Sequence, residues 1–393
     1  MYIYFIKRII YVIPVLIGSS ILVFLLLNLA PGDPITKLVG PFASEETRQL
    51  IREEYGLDKP IITQYYKWVL NLLGGDLGVS VEKLGAALGA EISNVDLSIP
   101  IPTTEMTVIQ NAFVEHGLLI FRNQDLTQEE YLAFGRQFGE LTVHPFATSL
   151  PNFPELIVLD NDVDNPPLST DQWHSDEMFR DEPPAATIIR STITPPIGGD
   201  TLLASMTAAY DGLNPALQEF YSNLEAVNDF KVFRALYQGT YEGRKKLVEM
   251  EELFPNTSHP VVRVHPVNKK PLIYVSPQTT KYIRGVRDFE SDQILNMLYQ
   301  LPEVPEYQYR VCWEPNMIII WDNRSTQHYA PRDYLPHRRR MERLTVKGDK
   351  PYGVAKKISS TTVEMNIRGT DKAEKTGSHR DGLARPSTRM AEK

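Results

Sequence analysis

The sequence predicts a mainly β fold with inserted helices, arranged as a β-sandwich or jelly roll and preceded by one transmembrane helix. Many short apolar or β-branched runs are bounded by Pro, Gly and Asp, which is typical of strands. Only a few helical stretches interrupt these runs, which favours a sandwich or jelly roll over a parallel α/β sheet. Near the amino terminus, residues 9–32 carry no charge, which is typical of a membrane span.

The amino-terminal run is long enough to cross a bilayer. A spanning helix needs about 20 apolar residues, and we place the helix at residues 9–30. No small-residue cleavage site follows it, so we predict an uncleaved span. Lys7 and Arg8 favour an amino terminus on the inner side of the membrane.

The following part of the chain is predicted to form short strands with helices inserted among them. Thr127 and Glu130 have the spacing of a capping box, which starts a helix through Phe138. The predicted elements are short strands from Val81, a helix at 103–115, and strands at 117–122, 155–161, 185–194 and 200–205.

Later elements are predicted from the same signals. Residues 206–255 are mostly helical, and a strand, turn and strand follow over 261–276. The remaining elements are a helix at 288–301, a β pair of 307–313 with 317–323 across the turn at 314–316, and a last strand at 343–347. The polar residues 354–393 are expected to be disordered. These boundaries give three regions, namely 1–80, 81–353 and 354–393.

Composition excludes several classes of function. The chain has 393 residues and a net charge of −8, and no Lys/Arg stripe interleaved with aromatics, so nucleic acid is not an expected partner. Cys312 is the single cysteine, which excludes an internal disulfide and a cysteine-based metal or redox centre.

The chemistry centres on Trp173-His174-Ser175-Asp176. On an extended strand, His174 and Asp176 point to the same side and could hold one ion together. A distant second histidine would complete the two-imidazole, one-carboxylate set of non-haem Fe(II) oxygenases. The spacing alone decides little, because His379 and Asp381 repeat it within the polar tail. A structural ion pair therefore stays open as an alternative.

The candidate for the second histidine is His328, which follows the buried strand 317–321. Arg339 and Arg343 come after it, four residues apart, so both can face one cavity from a strand. Buried arginines without partners are costly, which points to anionic ligands. Ordinary structural explanations cover the other histidines before the tail, which are His116, His144, His259, His265 and His337.

Three segments resemble the TauD/TfdA family of Fe(II)- and 2-oxoglutarate-dependent dioxygenases over residues 81–353. They are QWHSDEMF (172–179), PPIGGDTLLAS (195–205) and WDNRSTQHYAPRDYLPHRRRMERLTVKGDKP (321–351). The resemblance implies a double-stranded β-helix in which His174, Asp176 and His328 bind Fe(II). It also implies that Thr201 and Arg339 hold the distal carboxylate of 2-oxoglutarate, with Arg343 near its keto-acid end and the substrate anion.

The implied reaction uses O₂ and 2-oxoglutarate to hydroxylate a small anionic organic substrate, with succinate and CO₂ as products. Sulfonates, alkyl sulfates and aryloxyalkanoates are the candidate classes, and the family suggests a homo-oligomer. The substrate-binding candidates are Arg343, His144, Thr170, Phe179 and Gln278.

The chain departs from the taurine enzymes at three positions. Those enzymes have a second histidine shortly after the one equivalent to His144, where this chain has Ala147-Thr148-Ser149. They have an asparagine in place of Thr170 and an aromatic residue in place of Gln278. Because lost hydrogen-bond partners change ligand selection, we expect a substrate other than taurine.

Residues 1–80 resemble the start of the membrane permease subunits of dipeptide and oligopeptide ABC transporters, on MYIYFIKRIIYVIPVLIGSSILVFLLLNLAPGDP and EEYGLDKPIITQYYKWVLNLLGGDLGVS. No further spans follow, so this part is interpreted as an anchor, a fusion remnant or a gene-boundary artefact. Two alternative functions are a membrane transport component with a soluble appendage and a jelly-roll binding module without catalysis. We expect the dioxygenase part to be cytoplasmic, or anchored at the inner membrane if the span inserts.

Overall fold

The computed structural model describes residues 2–29, 48–49, 52–53, 56–73, 78–146, 149–167, 170–230, 233–234, 237 and 239–355. They form a mixed helix and sheet fold. The helices are α1 (Tyr2–Leu29), α2 (Ile61–Leu73), α3 (Thr103–His116), α4 (Gln128–Arg136), α5 (Met206–Asp211), α6 (Pro215–Ser222), α7 (Tyr241–Leu253) and α8 (Asp288–Tyr299), with 3-10 turns at Leu301–Glu303 and Pro305–Tyr307.

The strands lie between these helices and after them. They are β1 (Ser80–Lys83), β2 (Ala90–Ser93), β3 (Leu118–Phe121), β4 (Ser149–Leu150), β5 (Phe153–Asn161), β6 (Ala186–Ile193), β7 (Thr201–Ser205), β8 (Glu225–Asn228), β9 (Thr257–Pro260), β10 (Val262–Val264), β11 (Pro271–Ile273), β12 (Thr280–Ile283), β13 (Gln308–Val311), β14 (Ile318–Asp322), β15 (Thr326–Tyr329) and β16 (Arg339–Val346).

An eight-stranded sheet in the order β1-β2-β3-β14-β6-β16-β5-β4 is the centre of the molecule. Its strand β14 is apolar from Ile318 to Trp321, as expected of a strand with both faces covered. Ile318 and Ile320 face a core shared with helices α3 and α4, whereas Ile319 and Trp321 face the opposite side. The period-2 alternation of a strand thus divides one continuous apolar run between two cores.

A second sheet, β13-β7-β15, covers the other face of the large sheet. Leu203 of β7 and Val311 of β13 pack in one cluster with Ile319, Trp321 and Met341 of the large sheet. Two sheets facing each other across an apolar layer are what a jelly roll requires. This two-layer arrangement positions β15, β16 and the segment before β6 around one cavity.

One predicted pairing is wrong. Residues 307–313 and 317–323 form strands, but they do not pair with each other. Strand β13 pairs with β7 in the small sheet, and β14 pairs with β3 and β6 in the large one. The turn between them is therefore a crossing from one sheet to the other, and the choice of partner depends on strands that are remote in sequence.

Other predictions need smaller corrections. The region 206–255 contains three helices but also strand β8, which pairs with β9 and β12. The last strand begins at Arg339 rather than at residue 343, so it carries both arginines. The capping box of Thr127 and Glu130 is confirmed by both of its hydrogen bonds. The tail predicted to be disordered lies outside the described residues from 356 onward.

Helices α1 and α2 pack against each other. Phe24 of α1 is buried, with ring centroids 5.4 Å from Tyr65 and 5.7 Å from Trp68 of α2. The hydroxyls of Ser20 and Tyr65 lie 2.7 Å apart. Among the described residues, no helix has the length and apolar character that crossing a bilayer demands. The transmembrane helix predicted at residues 9–30 is not supported by this finding.

Candidate active site

His174 and His328 are joined by their backbones. They form an antiparallel β bridge, in which the His174 N–H donates to the His328 carbonyl at 3.0 Å and the His328 N–H donates back at 2.8 Å. Their ring centroids lie 4.0 Å apart. Two residues that lie 154 positions apart in the sequence are therefore held at one place by main-chain hydrogen bonds.

Asp176 completes a cluster with these two histidines. Its Oδ1 lies 4.0 Å from His174 Nε2 and 3.9 Å from His328 Nε2. The potential ligand atoms of the three buried residues all lie within 4.8 Å of one another, close enough to hold a metal ion. The set contains two imidazoles and one carboxylate, which suits non-haem Fe(II) with open coordination positions.

The protonation states in the cluster are those a metal requires. Burial lowers the pKa of His174 and lowers the pKa of His328 further, so both imidazoles are neutral near pH 7. Burial raises the pKa of Asp176, but the Arg343 guanidinium, the two histidines and a hydrogen bond from Thr187 outweigh it and keep that pKa well below its ordinary value. The Nδ1 of His174 lies 2.7 Å from the Gln172 carbonyl, which can only accept, so the proton sits on Nδ1. The lone pair of Nε2 is therefore the one available to a metal.

Arg339 and Thr201 lie together beside this cluster. The Arg339 Nε donates to the Gly199 carbonyl at 3.0 Å, and its Nη2 lies 3.5 Å from the Thr201 hydroxyl. Trp313 Nε1 also donates to that hydroxyl, at 3.0 Å. Burial lowers the pKa of Arg339 to about 10, and none of the described carboxylates forms an ion pair with it. A buried cation without a counter-ion is a site for an anion.

Arg343 lies on the same strand and faces the metal cluster. Its Nη2 is 3.1 Å from Asp176 Oδ1 and 3.7 Å from Glu177 Oε1. Neither contact is a hydrogen bond. The Nε and Nη2 groups of Arg343 have no hydrogen-bond acceptor among the described residues. The guanidinium thus has donors to spare for a bound anion.

Beyond Arg343, His144 and Glu177 approach each other. The His144 Nδ1 accepts a hydrogen bond from the Phe146 N–H at 3.1 Å, so its proton sits on Nε2, which lies 3.7 Å from Glu177 Oε1. The other Glu177 oxygen accepts from Arg180 at 2.6 Å. Glu177 is buried with a φ of 48°, a conformation that non-glycine residues adopt rarely and mostly where the fold enforces it.

All of these groups line one cavity of about 430 Å³. Thr170 and Gln278 also line it, so the structure brings every predicted site residue to this cavity except Phe179. Phe179 lies in the turn after Asp176 and packs behind the wall, with ring centroids 5.7 Å from Phe146 and 6.0 Å from Phe233. Phe179 also lines a separate open groove, and its contact with substrate stays a prediction.

Several residues of the site were not singled out from the sequence. They are Thr187 beside Asp176, Asn323 beside Thr187, Trp313 beside Thr201, Glu177, and the aromatic residues Phe146 and Phe233. Thr187 lies within a β-branched strand and gives no local signal. Glu177 had one available signal, since it follows a candidate ligand directly.

Comparison with known proteins identifies the family. The model of the "Taurine catabolism dioxygenase TauD, TfdA family" matches residues 80–345, which is more than half of the chain. The chain belongs to the TauD/TfdA family. The expectation drawn from the three sequence segments is confirmed, and the resemblance of the amino terminus is confirmed by a match of residues 1–94 to the amino-terminal model of the membrane component of binding-protein-dependent transport systems.

Relatives within the TauD/TfdA family match over most of their length. The chain is 31% identical over 312 residues to an alkylsulfatase of Acinetobacter baylyi, covering 77% of this chain and 95% of that one. It is 32% identical over 291 residues to an alpha-ketoglutarate-dependent sulfate ester dioxygenase of Pseudomonas putida, covering 73% and 95%. The solved structure of a taurine dioxygenase from Burkholderia xenovorans superposes with a TM-score of 0.60 at 33% identity, covering 70% and 93%.

Membership of the TauD/TfdA family establishes the reaction class. The protein is a 2-oxoglutarate-dependent dioxygenase that uses Fe(II), 2-oxoglutarate and O₂. Its own residues fit these groups. The buried cluster of two histidines and one aspartate has the donor set of a ferrous site. Arg339 supplies a buried cation that pairs with none of the described carboxylates, and Arg343 supplies Nε and Nη2 donors that have no hydrogen-bond acceptor among the described residues.

Proposed function

We propose that His174, Asp176 and His328 bind the iron, and that Thr201 and Arg339 bind the distal carboxylate of 2-oxoglutarate. The first assignment rests on the 4.8 Å cluster of potential ligand atoms. The second rests on the buried Arg339, whose Nη2 lies 3.5 Å from the Thr201 hydroxyl and which needs an anion. Arg343 is assigned to the keto-acid end of 2-oxoglutarate and to the anionic group of the substrate.

When bound, Fe(II), 2-oxoglutarate and O₂ supply the hydroxylation of a C–H bond, with succinate and CO₂ as the other products. The protein positions the substrate and excludes water from the cavity. Arg343 offers its unused donors to the substrate anion, and His144 lines the same cavity. Phe146 and Phe233 stack at a centroid distance of 4.8 Å and exclude water from that wall.

We further propose that the substrate is an organic sulfate ester or sulfonate other than taurine. The names of the relatives support a sulfate ester or sulfonate, since two relatives that align over 95% of their length are an alkylsulfatase and a sulfate ester dioxygenase. The cavity lining supports a substrate other than taurine, because Thr170 and Gln278 line it where taurine enzymes place an asparagine and an aromatic residue. Hydroxylation of the carbon that bears a sulfate ester gives a product that collapses to a carbonyl compound and releases sulfate.

The test follows succinate formation, together with sulfate and sulfite release, for a panel of alkyl sulfates, alkyl sulfonates, aryloxyalkanoates and taurine. We expect coupled succinate and sulfate formation with an alkyl sulfate and little turnover of taurine. Arg343→Met should lose substrate-dependent turnover. The matched control is Arg340→Met on the same strand, because Arg340 pairs with Glu342 instead of facing the cavity.

Two outcomes would contradict the proposal. Efficient taurine turnover would refute the substrate assignment and leave the reaction class intact. Succinate formation that no member of the panel raises above the background rate would refute the sulfate ester and sulfonate classes together.

The cosubstrates indicate the cellular compartment in which the protein works. We propose that the dioxygenase part, residues 81–353, works in the cytoplasm, where 2-oxoglutarate and ferrous iron are supplied. Its assembly into a homo-oligomer remains a prediction from the family, and the division into 1–80, 81–353 and 354–393 remains a prediction from composition.

A further inference from the structure

A chain of hydrogen bonds runs from Trp321 to Asp176. The Trp321 Nε1 donates to Asn323 Oδ1 at 2.9 Å, and the Asn323 Nδ2 donates to the Thr187 hydroxyl at 2.8 Å. That hydroxyl donates to Asp176 Oδ2 at 2.6 Å. All four side chains are buried, so water does not compete for these bonds.

The chemistry of the groups fixes the direction of the chain. An indole N–H can only donate, so the oxygen of the Asn323 amide faces Trp321 and the nitrogen faces Thr187. The Thr187 oxygen then accepts from that nitrogen, and its single proton is left for Asp176. The backbone supports the same geometry, because Trp321 and Thr187 are direct partners across β14 and β6.

The two oxygens of Asp176 are thereby made unequal. Oδ2 is committed to Thr187, whereas Oδ1 is the oxygen that lies 4.0 Å from His174 Nε2 and 3.9 Å from His328 Nε2. A carboxylate whose second oxygen is engaged by a buried hydroxyl has one oxygen left for a metal.

We propose that Thr187 and Asn323 are positioning residues that hold Asp176 with its Oδ1 toward the two histidines, and so strengthen metal binding through that oxygen. This rests on the proposed role of Asp176 as an iron ligand. Trp321 serves both sides of the site, because its ring packs at a centroid distance of 4.6 Å on His328 while its N–H orients Asn323. Outer partners of this kind orient ligands and tune metal affinity.

The alternative is that these bonds merely satisfy buried polar groups of the core. The chain itself offers the control that separates the two explanations. Thr345 is the direct cross-strand partner of Thr187, and both are buried to the same degree. The Thr345 hydroxyl has no hydrogen-bond partner among the described residues. Thr187→Val therefore removes a hydrogen bond to Asp176, whereas Thr345→Val makes the same chemical change without removing one.

The experiment measures the dissociation constant of Fe(II) by anaerobic calorimetry in the full chain, without cosubstrates. Thr187→Val is expected to weaken Fe(II) binding by about 10- to 100-fold, the usual effect of losing an outer partner. Thr187→Ser, which keeps the hydroxyl, should restore most of the affinity, and Thr345→Val should leave it unchanged. Trp321→Phe removes the donor that orients Asn323 and should give a smaller loss in the same direction, which covers the case that Thr187→Val does not fold.

The outcomes are distinguishable. Thr187→Val that folds and binds Fe(II) like the wild type would overturn the proposal, as would an equal loss of affinity in Thr345→Val. A wild-type chain that does not bind Fe(II) would instead overturn the proposed metal site itself. An effect on thermal stability alone, equal at positions 187 and 345, would assign the chain of hydrogen bonds to core packing.

Discussion

Replacing Arg339 by methionine should make the protein more stable and unable to bind its cosubstrate. Burial lowers the pKa of this guanidinium well below its ordinary value, to about 10, and at neutral pH that shift corresponds to a cost of about 3 kcal/mol for carrying the charge into the fold. Methionine loses the hydrogen bond to the Gly199 carbonyl, which is worth about 1 kcal/mol. It also loses the cation–π contacts with Trp313 and Tyr334, worth about 0.5 kcal/mol each at the lower end.

The balance leaves the Arg339→Met protein about 1 kcal/mol more stable than the wild type when no ligand is present. Adding 2-oxoglutarate with Mn(II) reverses the order. The wild type gains about 2.7 kcal/mol at a ligand concentration 100 times the dissociation constant, and the variant gains nothing beyond the effect of the metal.

Urea denaturation of both proteins, with and without 2-oxoglutarate, measures these differences. Arg340→Met is the matched control, because Arg340 lies next to Arg339 but pairs with Glu342, and its response to 2-oxoglutarate should be that of the wild type. A variant at Arg339 that is clearly less stable than the wild type, or that 2-oxoglutarate still stabilises, would refute the reasoning.

Three further predictions concern pH, selectivity and the amino terminus. Burial lowers the pKa of His259 to about 4, so between pH 4 and 6.5 the unfolded chain binds a proton that the folded chain does not, and stability should rise with pH by about 3 kcal/mol across that window. His259→Gln, which can still donate to the Met178 or Arg180 carbonyl, should flatten this part of the urea-denaturation profile. Glu177→Gln removes a negative charge 3.7 Å from Arg343 Nη2 and should lower KM for an anionic substrate several-fold in steady-state assays, with KM for 2-oxoglutarate unchanged. A chain beginning at Gly78 should keep the kcat and KM of the full chain, because the family match begins at residue 80.

Each of these has a contrary result. A pH profile unchanged by His259→Gln would place the acid sensitivity in other groups. A higher KM for the anionic substrate in Glu177→Gln would mean that Glu177 holds Arg343 in position and does not compete for it. Loss of activity in the shortened chain would assign residues 1–77 a role in the dioxygenase.

Local signals in the sequence predicted local structure well. The capping box of Thr127 and Glu130 formed as predicted, because the four residues involved contain all of the relevant interactions. The pairing of 307–313 with 317–323 failed, because a strand chooses its neighbour by packing over the whole fold. The pairing of β13 with β7 joins residues that lie about 100 positions apart in the sequence.

The same division separates the parts of the site. Spacing and family resemblance predicted the residues that the cavity brings together, including His174, Asp176 and His328. Spacing could not reveal Thr187 and Asn323, whose relation to Asp176 exists only after β6 and β14 have paired. Phe179 illustrates the reverse case, since an aromatic residue near a ligand serves equally well as a wall or as the support behind it.

The backbone bridge between His174 and His328 sets the order of events during synthesis. His174 and Asp176 leave the ribosome 154 residues before His328, since 328 − 174 = 154. At about 5–20 residues per second, roughly 8–30 s pass before His328 can join His174 and Asp176. If these residues bind the iron as proposed, the nascent chain becomes able to take it up only once the bridge has formed, so loading with iron belongs to a late stage of folding.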